Sequence, residues 1–232
     1  MNISRYSGIL GILIFLLAAY LLSNNRKKIP YKTVIYGLIT QFLIAFFMLK
    51  TPVGVEIFKA VNHFFVKVLS YSDQGSKFLF GSLVDSQEIG AMLIAFISII
   101  YLLNDVVGIS GITLEKLLGY LLSPIAFLIG IPPSESVEVG KLLGIKTIFT
   151  EFLSYLQLKT HIVNQTLSPR TIAITTYALC GFTHFGSIAI LIGGIGTLVP
   201  SKKPVVSRFA LKSLVAGFLA TMMTAAIAGL IM

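Results

Sequence analysis

Thr171-Ile172-Ala173-Ile174-Thr175-Thr176-Tyr177-Ala178-Leu179-Cys180-Gly181-Phe182-Thr183-His184-Phe185-Gly186-Ser187-Ile188-Ala189-Ile190-Leu191-Ile192-Gly193-Gly194 opens a run that reaches Ser201 without an Asp, Glu, Lys or Arg. As one helix of 31 residues it would measure ~46 Å, against a hydrocarbon core about 30 Å thick. It is too long for one simple span. Its start is well marked: Ser168 is placed to cap a helix and Pro169 to occupy its first position. Its middle, Cys180 to Ser187, gathers glycine, hydroxyl and imidazole groups, which suggests unwound backbone. Such backbone survives at membrane depth only when buried in protein or lining a wet cavity, and broken helices of this kind build solute sites. The competing reading is a small-residue face for helix packing.

Outward from this run, further uncharged stretches cover Tyr6–Asn25, Thr33–Leu49, Ile89–Asn104, Leu117–Ser134 and Ser213–Met232. A spanning helix needs roughly 20 mostly apolar residues, so the first, second and last read as spans, and the third as a short one. No small-residue cleavage site follows the first before its basic loop, so it reads as a retained helix rather than a signal peptide. The chain of 232 residues is 56% hydrophobic and 12% charged, whereas soluble domains carry about 25% charged residues. Lipid must therefore solvate much of the surface. The net charge of +9 sits in short loops, as the positive-inside bias predicts, and no exposed basic domain offers a nucleic-acid surface. A single cysteine, Cys180, excludes a disulfide framework and reads as a small packing residue.

Two regions are amphipathic rather than spanning. Residues 51–85 mix Phe58, Phe64, Phe65, Val66 and Leu69 with Glu56, Lys59, Lys67 and Asp73, as an interfacial helix would. Residues 134–160 carry Glu135, Glu138, Lys141, Lys146, Glu151 and Lys159, with Gly140 and Gly144 as interruptions. A re-entrant hairpin packed inside the protein fits that pattern. Glu151 has apolar neighbours on both sides, and a charge at bilayer depth costs about 2.5–3.5 kcal/mol on insertion scales. It either faces a cavity and serves a solute or ion, or ends the hairpin in water, paired with Lys146 or Lys159. His184 is equally two-sided, a packed histidine or a group at a functional break, while His63 and His161 read as surface residues. Cys180, His184 and Ser187 would share one helix face, but no orienting third group, Ser elbow, metal-spaced His/Glu pair or phosphate loop accompanies them. The chain does not read as an enzyme.

Several stretches together resemble the concentrative nucleoside transporter family: Gly90–Phe96, Leu117–Tyr120 with Ser123–Gly130, Gly144–Thr147 with Glu151-Phe152, and Ala178–Phe182 continuing through Gly186–Gly194. The resemblance is strong over 88–232 and weaker over 1–83, where Leu21–Lys27 and Phe78–Gly81 carry it. It implies secondary active transport of nucleosides by alternating access, coupled to sodium ions or protons, by a homotrimer in the cell (inner) membrane. By position it implies that Glu151 and Ser187 contact the ribose and that Phe182 lies near the base, with His184 lining the pocket. The family commonly has asparagine where this chain has Thr150 and His184.

The resemblance also implies a departure. Family members carry a third spanning helix, a first re-entrant hairpin with a Gly-Gln-(Thr/Ser)-Glu-Ala-Pro type motif, and two more spanning helices. That hairpin reads the base and helps form the sodium site, and no stretch here reads as it. The join falls near Val84-Asp85-Ser86-Gln87. The basic loops at Arg26–Lys28 and from Lys202 to Arg208 should share one side, which needs an even number of crossings between them; three counted runs leave an odd number, so either Leu117–Ser134 also crosses or an odd number of crossings is missing. The expected architecture is thus an all-α integral membrane protein, a multi-spanning bundle with interfacial helices, one re-entrant hairpin and one broken helix. Residues 1–85 form its N-terminal helices and 86–232 its transporter-like part. The alternatives are a non-transporting, internally deleted remnant, or half of a split transporter whose second chain supplies the hairpin.

Overall fold

The computed structural model describes residues 3–57, 60 and 113–232. The expected span at Ile89–Asn104, most of the amphipathic stretch 51–85, His63 and the Val84–Gln87 join lie outside the described residues. Among the described residues all regular structure is helical. The helices are α1 (Ile3–Leu22), α2 (Tyr31–Lys50), α3 (Leu114–Leu128), α4 (Pro133–Ile148), α5 (Glu151–Val163), α6 (Pro169–Leu179), α7 (Phe185–Leu198) and α8 (Lys203–Ile231). The chain divides into two compact units, Met1–Ala45 with Glu115–Met232, and Phe46–Leu114. The first holds the elements that build the site.

In that unit α8 is the central post, packed along α1, α6 and α7, while α4, α5 and α6 pack on one another. The core lies where Ala126 and Ile129 at the end of α3, Leu142 and Leu143 of α4, Ile174 and Leu179 of α6, and Met222 and Ala225 of α8 meet, all fully buried. By contrast, α1 and α7 keep large apolar side chains such as Leu13, Leu17, Ile190 and Leu198 exposed, and α2 buries none of its residues. Those faces are solvated by hydrocarbon in a membrane protein. Both α2 and the final helix, taken from Pro200 to Ile231, are long and apolar enough to cross a membrane.

The broken helix is present: α6 stops at Leu179, α7 starts at Phe185, and the residues between are non-helical. The expected cap holds too, Ser168 Oγ accepting from the Thr171 N–H at 3.3 Å with Pro169 in the first turn. The hairpin is α4–α5, turning at Phe149-Thr150, where the Thr150 hydroxyl accepts the Phe152 N–H at 3.0 Å.

Four expectations need correction. Gly140 and Gly144 do not interrupt the hairpin, because α4 runs through both. A Cβ at Gly140 would collide with the Gly119 carbonyl oxygen of α3, and one at Gly144 with the Leu118 side chain; these glycines permit close helix contact. Leu117–Ser134 is not one continuous helix. Its helix ends at Leu128, and α3 and α4 meet at 116°. The bend is a Schellman motif, with the Ile131 N–H donating to Ala126 O (3.2 Å) and the Gly130 N–H to Phe127 O (3.0 Å). Gly130 sits there at φ 99°, a backbone region open to glycine. Lys203 to Arg208 is not loop but the first turns of α8. At 29 residues α8 measures ~43 Å, longer than a hydrocarbon core about 30 Å thick, which leaves length for its basic start outside that core. Finally, Cys180 is exposed rather than packed. It faces a cavity of about 600 Å³ lined by residues of α1, α2, α6 and α8, Phe15, Tyr177 and Ala216 among them.

Candidate functional site

The break between α6 and α7 and the turn of the α4–α5 hairpin meet around one imidazole. His184 is the N-cap of α7: its Nδ1 accepts the Ser187 N–H at 3.2 Å, while the Ser187 hydroxyl donates back to the His184 carbonyl at 2.5 Å. A backbone N–H that a helix start leaves without a partner four residues back is thereby engaged. An accepting Nδ1 needs its lone pair, so the neutral ring carries its proton on Nε2. That nitrogen faces Glu151 Oε2 at 3.6 Å, with the two side chains 8% and 15% exposed. The separation exceeds hydrogen-bond length, and Oε2 is buried with no hydrogen-bond partner. Phe182 completes the group, its ring tilted 50° to the imidazole at 5.6 Å between centroids.

All four residues singled out in the sequence, Glu151, Phe182, His184 and Ser187, therefore cluster about His184. They do not all line one cavity. Phe182 and Ser187, with Thr183, Ile188, Leu191 and Ser213, border a mainly apolar hollow of about 340 Å³ between α7 and α8. The Phe182 ring is 71% exposed. Glu151 and His184 form the polar wall behind the break. The water-bathed pairing of Glu151 with Lys146 or Lys159 does not occur, since Lys146 is fully buried and its Nζ donates to the Ala178 carbonyl at 2.8 Å.

Lys146 is the residue that reading the sequence undervalued. Its signal was a lone cation at Gly144-Ile145-Lys146-Thr147 between apolar neighbours. Arg170 was passed over as well. Its guanidinium donates to the Gly130 and Gly229 carbonyls, each at 2.6 Å, and so ties the α3–α4 bend and the end of α8 to the start of α6. Glu135 adds a second tie, accepting from both the N–H (3.1 Å) and the hydroxyl (3.0 Å) of Ser168, the cap of α6. Among the described residues no cluster of His, Cys, Asp and Glu suits a metal ion.

Chemically, the wall offers a carboxylate with an open acceptor next to an N–H donor. A solute hydroxyl matches the pair, since it can donate to Glu151 while accepting from His184.

Comparison with known proteins places this architecture. Residues 79–229 match the family described as Na+ dependent nucleoside transporter C-terminus, and residues 10–83 its N-terminus. The nucleoside permease NupC of Helicobacter pylori is 43% identical over 153 residues, covering 62% of this chain and 37% of that protein. An uncharacterized transporter of Bacillus subtilis, YutK, is 43% identical over 150 residues with the same coverage, 62% and 37%. The sodium/nucleoside cotransporter 1 of Mus musculus is 29% identical over 231 residues, covering 84% of this chain and 36% of that protein. The matched region thus spans a little over a third of these relatives' length. Among solved structures, CNTnw in an inward-facing substrate-bound state aligns with a TM-score of 0.89 at 20% identity, over 100% of this chain and 98% of that chain. At that identity the likeness speaks for the fold, an all-α membrane architecture.

Proposed function

Because this multi-pass membrane protein belongs to the Na+ dependent nucleoside transporter family, we propose that it binds a nucleoside at the Glu151–His184 wall and carries it across the cell (inner) membrane. One observation carries the reading: Glu151 Oε2 is buried, unbonded and 3.6 Å from the His184 Nε2. A buried carboxylate oxygen without a partner is costly, and the vicinal hydroxyls of a ribose would satisfy it. Ser187 and Phe182 border the adjoining apolar hollow, which suits a flat base. Transport proceeds by alternating access, driven by a sodium or proton gradient, in a homotrimer whose interfaces cover part of the exposed apolar surface.

A second reading has its own support. The N-terminal and C-terminal family matches run directly into one another, overlapping at residues 79–83. A chain in which those two parts are joined holds one half of a two-half site, and it either no longer transports or needs a second polypeptide.

Uptake of labelled uridine and adenosine into proteoliposomes containing this chain, with and without sodium and proton gradients, separates these readings. The transporter reading expects gradient-driven uptake that Glu151→Gln lowers at least tenfold. No uptake by protein that is folded and monodisperse sinks autonomous transport. Uptake restored by adding a second chain favours the split form.

A further inference from the structure

Lys146 is fully buried, although moving an ammonium out of water costs several kcal/mol even after relaxation. Its surroundings show how the charge is accommodated. The Nζ donates to the Ala178 carbonyl in the last turn of α6 (2.8 Å), where helix carbonyls lack intrahelical partners and the helix dipole is negative. The ring of Phe218, on α8, lies 5.8 Å from it, within cation–π range. The Glu151 carboxylate, first residue of α5, acts on it electrostatically across the hairpin turn. Three elements besides α4 therefore converge on one cation, and it grips α6 two residues before the break that places His184. An apolar side chain of similar length would fill the space without the desolvation cost. A charge kept at that cost, beside a carboxylate left open toward solute, points beyond packing.

We propose that Lys146 is a positioning residue for the nucleoside site. Its ammonium latches the hairpin turn to the broken end of α6 and balances Glu151, so that the carboxylate and the His184 imidazole stay side by side where one solute hydroxyl can bond to both. This rests on the reading of Glu151 as a solute-binding group. Without the ammonium, Glu151 becomes an uncompensated buried charge, the α6 terminus loses its donor, and the spacing of the wall is no longer held.

The test is a double-mutant cycle on the full chain in nanodiscs, with Lys146→Met, Glu151→Gln and the pair, each measured for melting temperature and for uridine binding. Lys146→Met should lower both, weakening uridine at least tenfold. The pair should melt above Lys146→Met alone, because the unbalanced carboxylate has gone, and should bind no more weakly than Glu151→Gln alone. Packing without charge balance gives additive melting losses instead, and that result overturns the latch. Lys146→Gln keeps a donor for Ala178 without the charge and serves where Lys146→Met fails to fold; wild-type uridine affinity in it also overturns the latch. The two readings fail differently. Loss of binding in Glu151→Gln with additive cycles removes the latch alone, whereas wild-type binding in Glu151→Gln removes the site and the latch with it.

Discussion

At the scale of single residues, several buried polar side chains end on backbone carbonyls, Lys146 on that of Ala178 and Ser154 on that of Leu142. Gln165 is instructive because its cost lies in the backbone instead. It ends α5 in a Schellman motif, with the Thr166 N–H donating to His161 O at 3.1 Å, and takes φ 52° to do so. Glycine is at ease there and glutamine is not. Gln165→Gly should therefore stabilise the chain by about 0.5–1 kcal/mol, read as a higher melting temperature in detergent; a lower one would mean the side chain holds something the backbone does not explain. The four residues that gather about His184 were legible as residue types. Glu151 betrayed itself as a charge among apolar neighbours, and Phe182, His184 and Ser187 as polar and aromatic groups inside a run too long to be one helix. What could not be read was the tautomer-fixing bond from the Ser187 N–H to His184. Histidine is an uncommon cap, and its role depends on a break whose register only packing settles.

Among elements, helix existence followed from the hydropathy runs, while their ends and bends followed from contacts distant in sequence. Ser168-Pro169 announced the start of α6 and was right, because a cap is a local device. Gly140 and Gly144 misled because a glycine inside a helix says either break or close approach, and the deciding partner, α3, is some twenty residues away. The stop at Leu128 rested on Gly130, whose positive φ has no trace in apolar periodicity. The docking of α2 was equally hidden. This helix buries no side chain, yet its Gln41 donates to Thr224 of α8 at 2.5 Å. Hydrogen bonds between membrane helices average about 0.6 kcal/mol. Thr224→Val should cost about that much, and Gln41→Leu should cost less in the valine background than in the wild type. Equal costs in the two backgrounds would show that the bond contributes nothing to holding α2.

At the scale of the whole molecule, a few charges among the described residues tie chain segments together at the edge of the apolar core. Arg170 gathers the carbonyl ends of two chain segments onto the start of α6, and hydrogen bonds from a charged donor are worth about 1.5–3 kcal/mol each. Arg170→Met should lower stability by about 2–4 kcal/mol and loosen the α3–α4 bend and the end of α8 together, seen as faster amide exchange in both. Faster exchange in one alone would mean that the bridge does not couple them. Class and architecture were legible because lipid imposes length and charge rules on a sequence; the cross-chain ties were not, since carbonyl acceptors are anonymous in it.

The exposed thiol at the mouth of the break has a practical consequence. Cys180 is the protein's single cysteine, and it stands four residues from His184 in the segment joining α6 to α7. A maleimide fluorophore or nitroxide would attach there and nowhere else, with no engineered background. The native chain thus comes with its own spectroscopic reporter: emission or spin mobility at that position reads changes in the surroundings of the break without radiolabel, vesicle or gradient.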